Sequence, residues 1–149
     1  MGAPKKILVA TDFSDVSEYA TTYARDLAQQ LGGELVILHV YEVPMLALPI
    51  EGAAMSPATW AADLSDHWQK KLDQSAARQR GSGVPVTALL RNGVVHEEVR
   101  RAADAQNADL VVIGTHGRTG ANRLLLGSVA ERVIRTATRP VLSVSPKAG

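Results

Sequence analysis

The sequence predicts an α/β domain built on one doubly wound, five-stranded parallel sheet with helices on both faces. Three observations carry that prediction. Four short β-branched segments are apolar on both faces, as suits parallel strands covered on both sides. Helical stripes of small and aliphatic residues alternate with them, so the order reads βαβαβαβαβ and right-handed crossovers follow. Finally, 149 residues without a linker, tandem repeat or low-complexity segment fit a single domain spanning 1–149, large enough for a sizeable core.

The elements follow in order. Ile7–Ala10 is the first strand, and Ala20, Tyr23, Ala24, Leu27, Ala28 and Leu31 recur at helical spacing until Gly32-Gly33 stops them. Leu35–Val40 is the second strand. Glu42–Ser56 is longer than a routine connection and reads as a lid over a site or a variable surface loop. Ala61, Leu64, Trp68, Leu72 and Ala76 form the second stripe, opened near Ser56-Pro57 and closed near Gly81. Val84–Leu90 is the weakest strand because Pro85 lies inside it, which suits a sheet edge. Val95, Val99, Ala102 and Ala103 make the third helix, Leu110–Ile113 the fourth strand, and Val129, Val133, Ile134 and Ala137 the fourth helix. Val141–Val144 closes the pattern.

Composition excludes several classes. Sixteen basic against fifteen acidic side chains leave a net charge of +1, so no global footprint for nucleic acid appears. Without cysteine there are no disulfides, thiolate metal sites or cysteine nucleophiles. MGAPKKILVATD is no signal peptide, and Val43–Ile50, the longest apolar run, contains two prolines and is too short to span a bilayer. These features point to the cytoplasm and to no membrane partner.

The chemistry concentrates in GTHGRTGANRLLLGS, residues 114–128, directly after the fourth strand. Open α/β sheets bind ligands beyond the carboxyl ends of their strands, where the crossover direction switches. Glycines permit close backbone approach, successive amides form an anion nest, and a following helix N-terminus adds partial positive charge. Arg118 and Arg123 can neutralise phosphate, and Ser128 can cap the helix or offer its hydroxyl and amide. The alternative is a flexible connection with helix-capping glycines. Neither the Walker GxxxxGK[ST] spacing nor GxGxxG is present.

Gly114-x2-Gly117-x9-Gly127-Ser128 resembles the nucleotide-binding signature of the universal stress protein family. ILVATDFSDVSEYA, LVILHVYE, and DLVVIGTHGRTG through GSVAERVIRTATRPVLSV resemble that family's opening, second strand and last third. The resemblance implies strand order 3-2-1-4-5 and ATP binding. Asp12 would contact ribose, Val40 would meet adenine through its backbone, and Gly114 would approach the ribose. Gly117, Arg118, Gly127, Ser128 and Val129 would surround the phosphates. Ala121-Asn122 and Thr136–Arg139 depart from commoner members but leave the spaced glycines intact.

Single residues weigh less. Asp12 closes a strand before Ser14 and Ser17 and could serve only a turn or helix cap. His116 stands alone on a loop with no carboxylate nearby in sequence, the setting of a solvated histidine, so no catalytic residue is assigned. His39 reads as packed within its strand; His67 and His96 lie among charged residues, as solvated helix faces do. No metal-ligand spacing occurs, and Glu97-Glu98 point in different directions. Magnesium could arrive with ATP, held by phosphates and Ser128. Trp60 and Trp68, eight apart on one helical face, read as core. The expected function is an ATP-binding, nucleotide-responsive stress regulator with an unidentified protein partner. The competing readings are a slow ATP hydrolase or phosphoryl-transfer enzyme, and a structural interaction protein whose loop stays empty. The last strand, uncharged between Pro140 and Pro146, would be a sheet edge able to pair two chains as a homodimer.

Overall fold

The computed structural model describes residues 2–43, 57–116 and 126–146. Its strands are β1 (Lys6–Ala10), β2 (Glu34–Tyr41), β3 (Val86–Asn92), β4 (Leu110–Gly114) and β5 (Val141–Val144). Between them run α1 (Asp15–Leu31), α2 (Pro57–Gln79), α3 (Val95–Ala105) and α4 (Ser128–Thr136). All pairings are parallel, in the order β3-β2-β1-β4-β5. The predicted class and order hold.

Strand alternation divides the core in two. Ile7, Val9, Leu35, Ile37 and Val112 pack against Ala20, Ala24 and Ala28 of α1 and Leu72 and Ala76 of α2. Leu8, Val36, Leu38, Val111 and Ile113 face Val99, Ala102 and Ala103 of α3 and Ala130 and Val133 of α4. The small residues of α1 let it lie close to the sheet. Two pairs of helices on opposite faces require the chain to reverse direction after β3, which puts the switch point beside β1 and β4.

Local differences from the sequence reading have simple causes. β3 starts after Pro85, whose carbonyl accepts from the Leu35 amide at 2.9 Å, and extends to Asn92. The proline therefore introduces this edge strand instead of interrupting it. Tyr23, Val129 and Ile134 face outward, at 45%, 42% and 44% exposure; only Ala130 and Val133 of α4 are buried. Most of Glu42–Ser56 lies outside the described residues.

The amino ends of β1 and β4 are tied by Asp109. Its Oδ2 accepts from the Lys5 and Lys6 amides, both at 2.9 Å. The Lys6 and then the Lys5 amide bonds hold the carboxyl below its ordinary value. At α3, Asp104 is likewise lowered, first by its bond to the Thr138 hydroxyl and also by Arg139.

Candidate functional site at the carboxyl ends of the strands

β1 ends in a dense polar turn. The Thr11 amide donates to the Leu38 carbonyl at 2.9 Å, a backbone bond to β2 beyond the end of β1. Asp12 Oδ1 then accepts from the Ser14 amide at 3.0 Å and the Ser17 hydroxyl at 2.8 Å. Ser14, not Asp12, is the N-cap of α1, accepting from the Ser17 amide. Asp12 thus holds the turn that presents it, a role the sequence offered as the alternative to ligand contact. Phe13 takes a left-handed conformation, φ 67°, with its amide on the Thr11 hydroxyl at 3.0 Å.

An aromatic cluster backs this turn. The His39 ring lies 4.5 Å from Phe13 and 4.7 Å from Trp68 of α2, centroid to centroid. Its Nδ1 is 2.7 Å from the Thr11 carbonyl, and a carbonyl can only accept, so Nδ1 carries the proton. The packed reading of His39 is correct. Trp68 is half-buried over this cluster, and Trp60 is half-buried as well. Sequence reasoning missed Glu18, which accepts from the fully buried Ser75 hydroxyl at 3.0 Å and pairs with Arg78 at 3.2 Å. Glu18 thereby links α1 to α2; an acidic residue in a first helical turn, beside Asp15, gives no sign of such a distant partner.

Val40 lies two residues beyond Leu38 on β2. Alternate strand residues turn their peptide groups to opposite sides. Leu38 bonds toward β1, whereas the Tyr41 carbonyl accepts from Gly93 on the β3 side. The Val40 N–H and C=O therefore point to the β1 side, past the place where β1 leaves the sheet. Its side chain is buried against the α3–α4 face.

On the other side of β1, Gly114 ends β4 beneath α1. A Cβ there would lie 3.0 Å from Val16 Cγ1 and 3.4 Å from the Val16 carbonyl carbon and oxygen. Its smallness lets the first turn of α1 approach. Gly127 returns to the same strand end: its amide donates to the Thr115 carbonyl at 2.7 Å. An added Cβ would meet that oxygen at 3.0 Å. Gly127 is also the N-cap of α4, with extended backbone and no side-chain cap bond. Ser128 is accordingly the first helical residue and not the cap, because Glu131 N–H already bonds the Gly127 carbonyl. The amides of Ser128, Val129 and Ala130 form the open first turn. Gly117 and Arg118 lie outside the described residues.

His116 corrects another expectation. It is half-buried, with Nδ1 2.9 Å from the Thr115 hydroxyl, and its Nε2 is shielded from solvent without a hydrogen-bond partner among the described residues. His67 is exposed and His96 half-buried. Among the described residues no group of three His, Cys, Asp or Glu could hold a metal ion, and no helix is long and apolar enough to cross a membrane.

A sequence model described as the Universal stress protein family matches residues 4–145. Universal stress protein MJ0531 of Methanocaldococcus jannaschii is 38% identical over 144 residues, covering 94% of this chain and 81% of the relative. The solved structure of MJ0577, from the same organism, is similar with a TM-score of 0.81 at 28% identity, covering 97% of this chain and 98% of that one. A universal stress protein solved in complex with cAMP has a TM-score of 0.72 at 24% identity, covering 97% and 98%.

Proposed function

The chain belongs to the universal stress protein family, and from that premise we propose that it binds ATP across the carboxyl ends of β2, β1 and β4. One observation carries the reading: Val40, Asp12 and the Gly114–Gly127–α4 corner stand on three neighbouring strands in that spatial order. Base, ribose and phosphate follow one another along a nucleotide in the same order. Strands about 4.8 Å apart spread these groups over roughly 10 Å. The Val40 peptide groups can read the adenine edge, the Asp12 turn can accept from ribose hydroxyls, and Gly114 leaves the strand end bare beside it. The amides of Ser128, Val129 and Ala130 suit phosphate, reinforced by the helix dipole. The Gly127 amide is already bonded to Thr115, so Gly127 contributes by bringing α4 close. Gly117 and Arg118 complete the phosphate side in this proposal. Magnesium would enter with the nucleotide, on phosphate oxygens and the Ser128 hydroxyl.

The relative bound to cAMP holds an adenine nucleotide and, at 24% identity, speaks for the fold alone. The role we propose is a cytoplasmic, nucleotide-responsive regulator in stress. Occupancy would set the surface that a protein partner meets, in a homodimer joined through β5.

Thermal unfolding of desalted protein tests binding. ATP with magnesium at one hundred times its dissociation constant adds about 2.7 kcal/mol, a rise of roughly 5–10 °C for this length. GTP should raise it less. No rise at millimolar ATP would refute the proposal.

A further inference from the structure

We infer that His116 is a ligand contact, donating a hydrogen bond from Nε2 to an anionic phosphate oxygen of the bound molecule; this rests on the nucleotide reading above. Three observations converge. Thr115 Oγ1 lies 2.9 Å from Nδ1, so one ring nitrogen is already held. The other, Nε2, is shielded from solvent and has no hydrogen-bond partner among the described residues, an arrangement that costs stability unless something satisfies it. The backbone of His116 also sits against the N-cap of α4: a Cβ on Gly127 would lie 3.4 Å from the His116 Cα. The backbone that carries the imidazole therefore stands beside the corner where the first-turn amides of α4 open.

The chemistry of that corner selects the ring's role. Helix N-terminal amides favour an anion, and an anionic oxygen accepts hydrogen bonds but cannot donate them. Nε2 must then carry a proton when the anion is present. The Thr115 hydroxyl supports that tautomer by donating to Nδ1. His116 also compensates for the Gly127 amide, which is committed to the Thr115 carbonyl at 2.7 Å. Thr115 is a positioning residue: its amide bonds the Val144 carbonyl at 3.0 Å, which anchors it to β5, and its hydroxyl sets the ring.

Calorimetric titration with ATP, adenosine and inorganic phosphate, on wild type, His116→Ala, His116→Gln and Thr115→Val, tests the assignment. His116→Ala should weaken ATP about tenfold or more, the scale of one hydrogen bond to a charged group, and leave adenosine unchanged. His116→Gln, which keeps a side-chain N–H, should recover part of the loss, and Thr115→Val should show a smaller phosphate-dependent loss. Phosphate binding alone that depends on His116 would assign the contact to free phosphate as well as to nucleotide. Nitrogen NMR of wild type should show a protonated Nε2 that shifts with ATP and not with adenosine. Equal loss of ATP and adenosine in His116→Ala, or no loss of either, would overturn the inference while leaving the nucleotide site standing. So would an unprotonated Nε2 in the ATP complex. Wild type that binds neither ATP nor adenosine would overturn both.

Discussion

Gly127→Ala isolates the contact that seats α4 on β4. Gly127 has φ −62° and ψ 152°, a conformation open to any residue, so the substitution adds no backbone strain. What it adds is one methyl, 3.0 Å from the Thr115 carbonyl oxygen and 3.4 Å from the His116 Cα. Both neighbours are backbone and cannot rotate away, so the start of α4 must lift. Lifting stretches the 2.7 Å bond from the Gly127 amide to Thr115. That bond is worth about 1 kcal/mol, and overpacking costs about 1–3 kcal/mol. Restricting the unfolded chain returns about 0.4–1 kcal/mol. The net loss is about 2 kcal/mol, or a melting temperature lower by about 4–8 °C. Thermal unfolding followed by circular dichroism without nucleotide measures it. Ser128→Ala is the control: one position along, it should stay within about 0.5 kcal/mol of wild type. A Gly127→Ala protein melting at or above wild type would show that the corner has room, and the steric reasoning would fail.

Other predictions draw on other parts of the molecule. Asp109→Asn should destabilise the fold at pH 7, and its deficit against wild type should shrink below about pH 4. A carboxyl lowered by the Lys6 and Lys5 amides contributes stability above its unfolded value and loses it as pH falls through the folded one; a deficit constant from pH 7 to pH 3 would contradict this. Glu18→Ala should cost about 1–3 kcal/mol by stranding the buried Ser75 hydroxyl, and denaturant titration should find Glu18→Gln milder. Leu142→Lys should shift light scattering from dimer toward monomer with the fold intact, since β5 is the edge opposite β3. Wild-type protein that is monomeric at tens of micromolar would reject that interface.

The strand order and the two-faced core were legible because hydrophobic runs and their alternation are local properties of the chain. The apolar runs Ile7–Ala10, Leu35–Leu38 and Leu110–Ile113 lie in β1, β2 and β4, which are the three central strands. Pro85 pointed rightly to the edge, but its place before the strand was hidden, since that depended on its carbonyl meeting Leu35 from a different segment. The cap of α4 was misplaced by one residue for a related reason. Serine is the better intrinsic cap, yet the Thr115 bond to Gly127 decides where the helix begins. His116 looked solvated because a linear reading cannot see Gly127 return to the strand end beside it. Glu18 and Ser75, 57 residues apart, carry no sign of each other at all.

The placement of β1 has a consequence for how the chain is made. One side of this strand pairs with β2, where Lys6 meets Glu34, so its partner leaves the ribosome soon afterwards. The other side waits for β4, where Ile7 meets Leu110. At about 5–20 residues per second, those hundred-odd residues take roughly 5–20 s to synthesise. Throughout that interval a strand with the apolar run Ile7–Ala10, destined for the centre of the sheet, has one edge without its partner. Until β4 is made, the β1 edge of a nascent β1–β2–β3 unit has no strand to pair with. Asp109 gives the late partner its register, because its carboxylate seizes the Lys5 and Lys6 amides just ahead of the residues that must zip together.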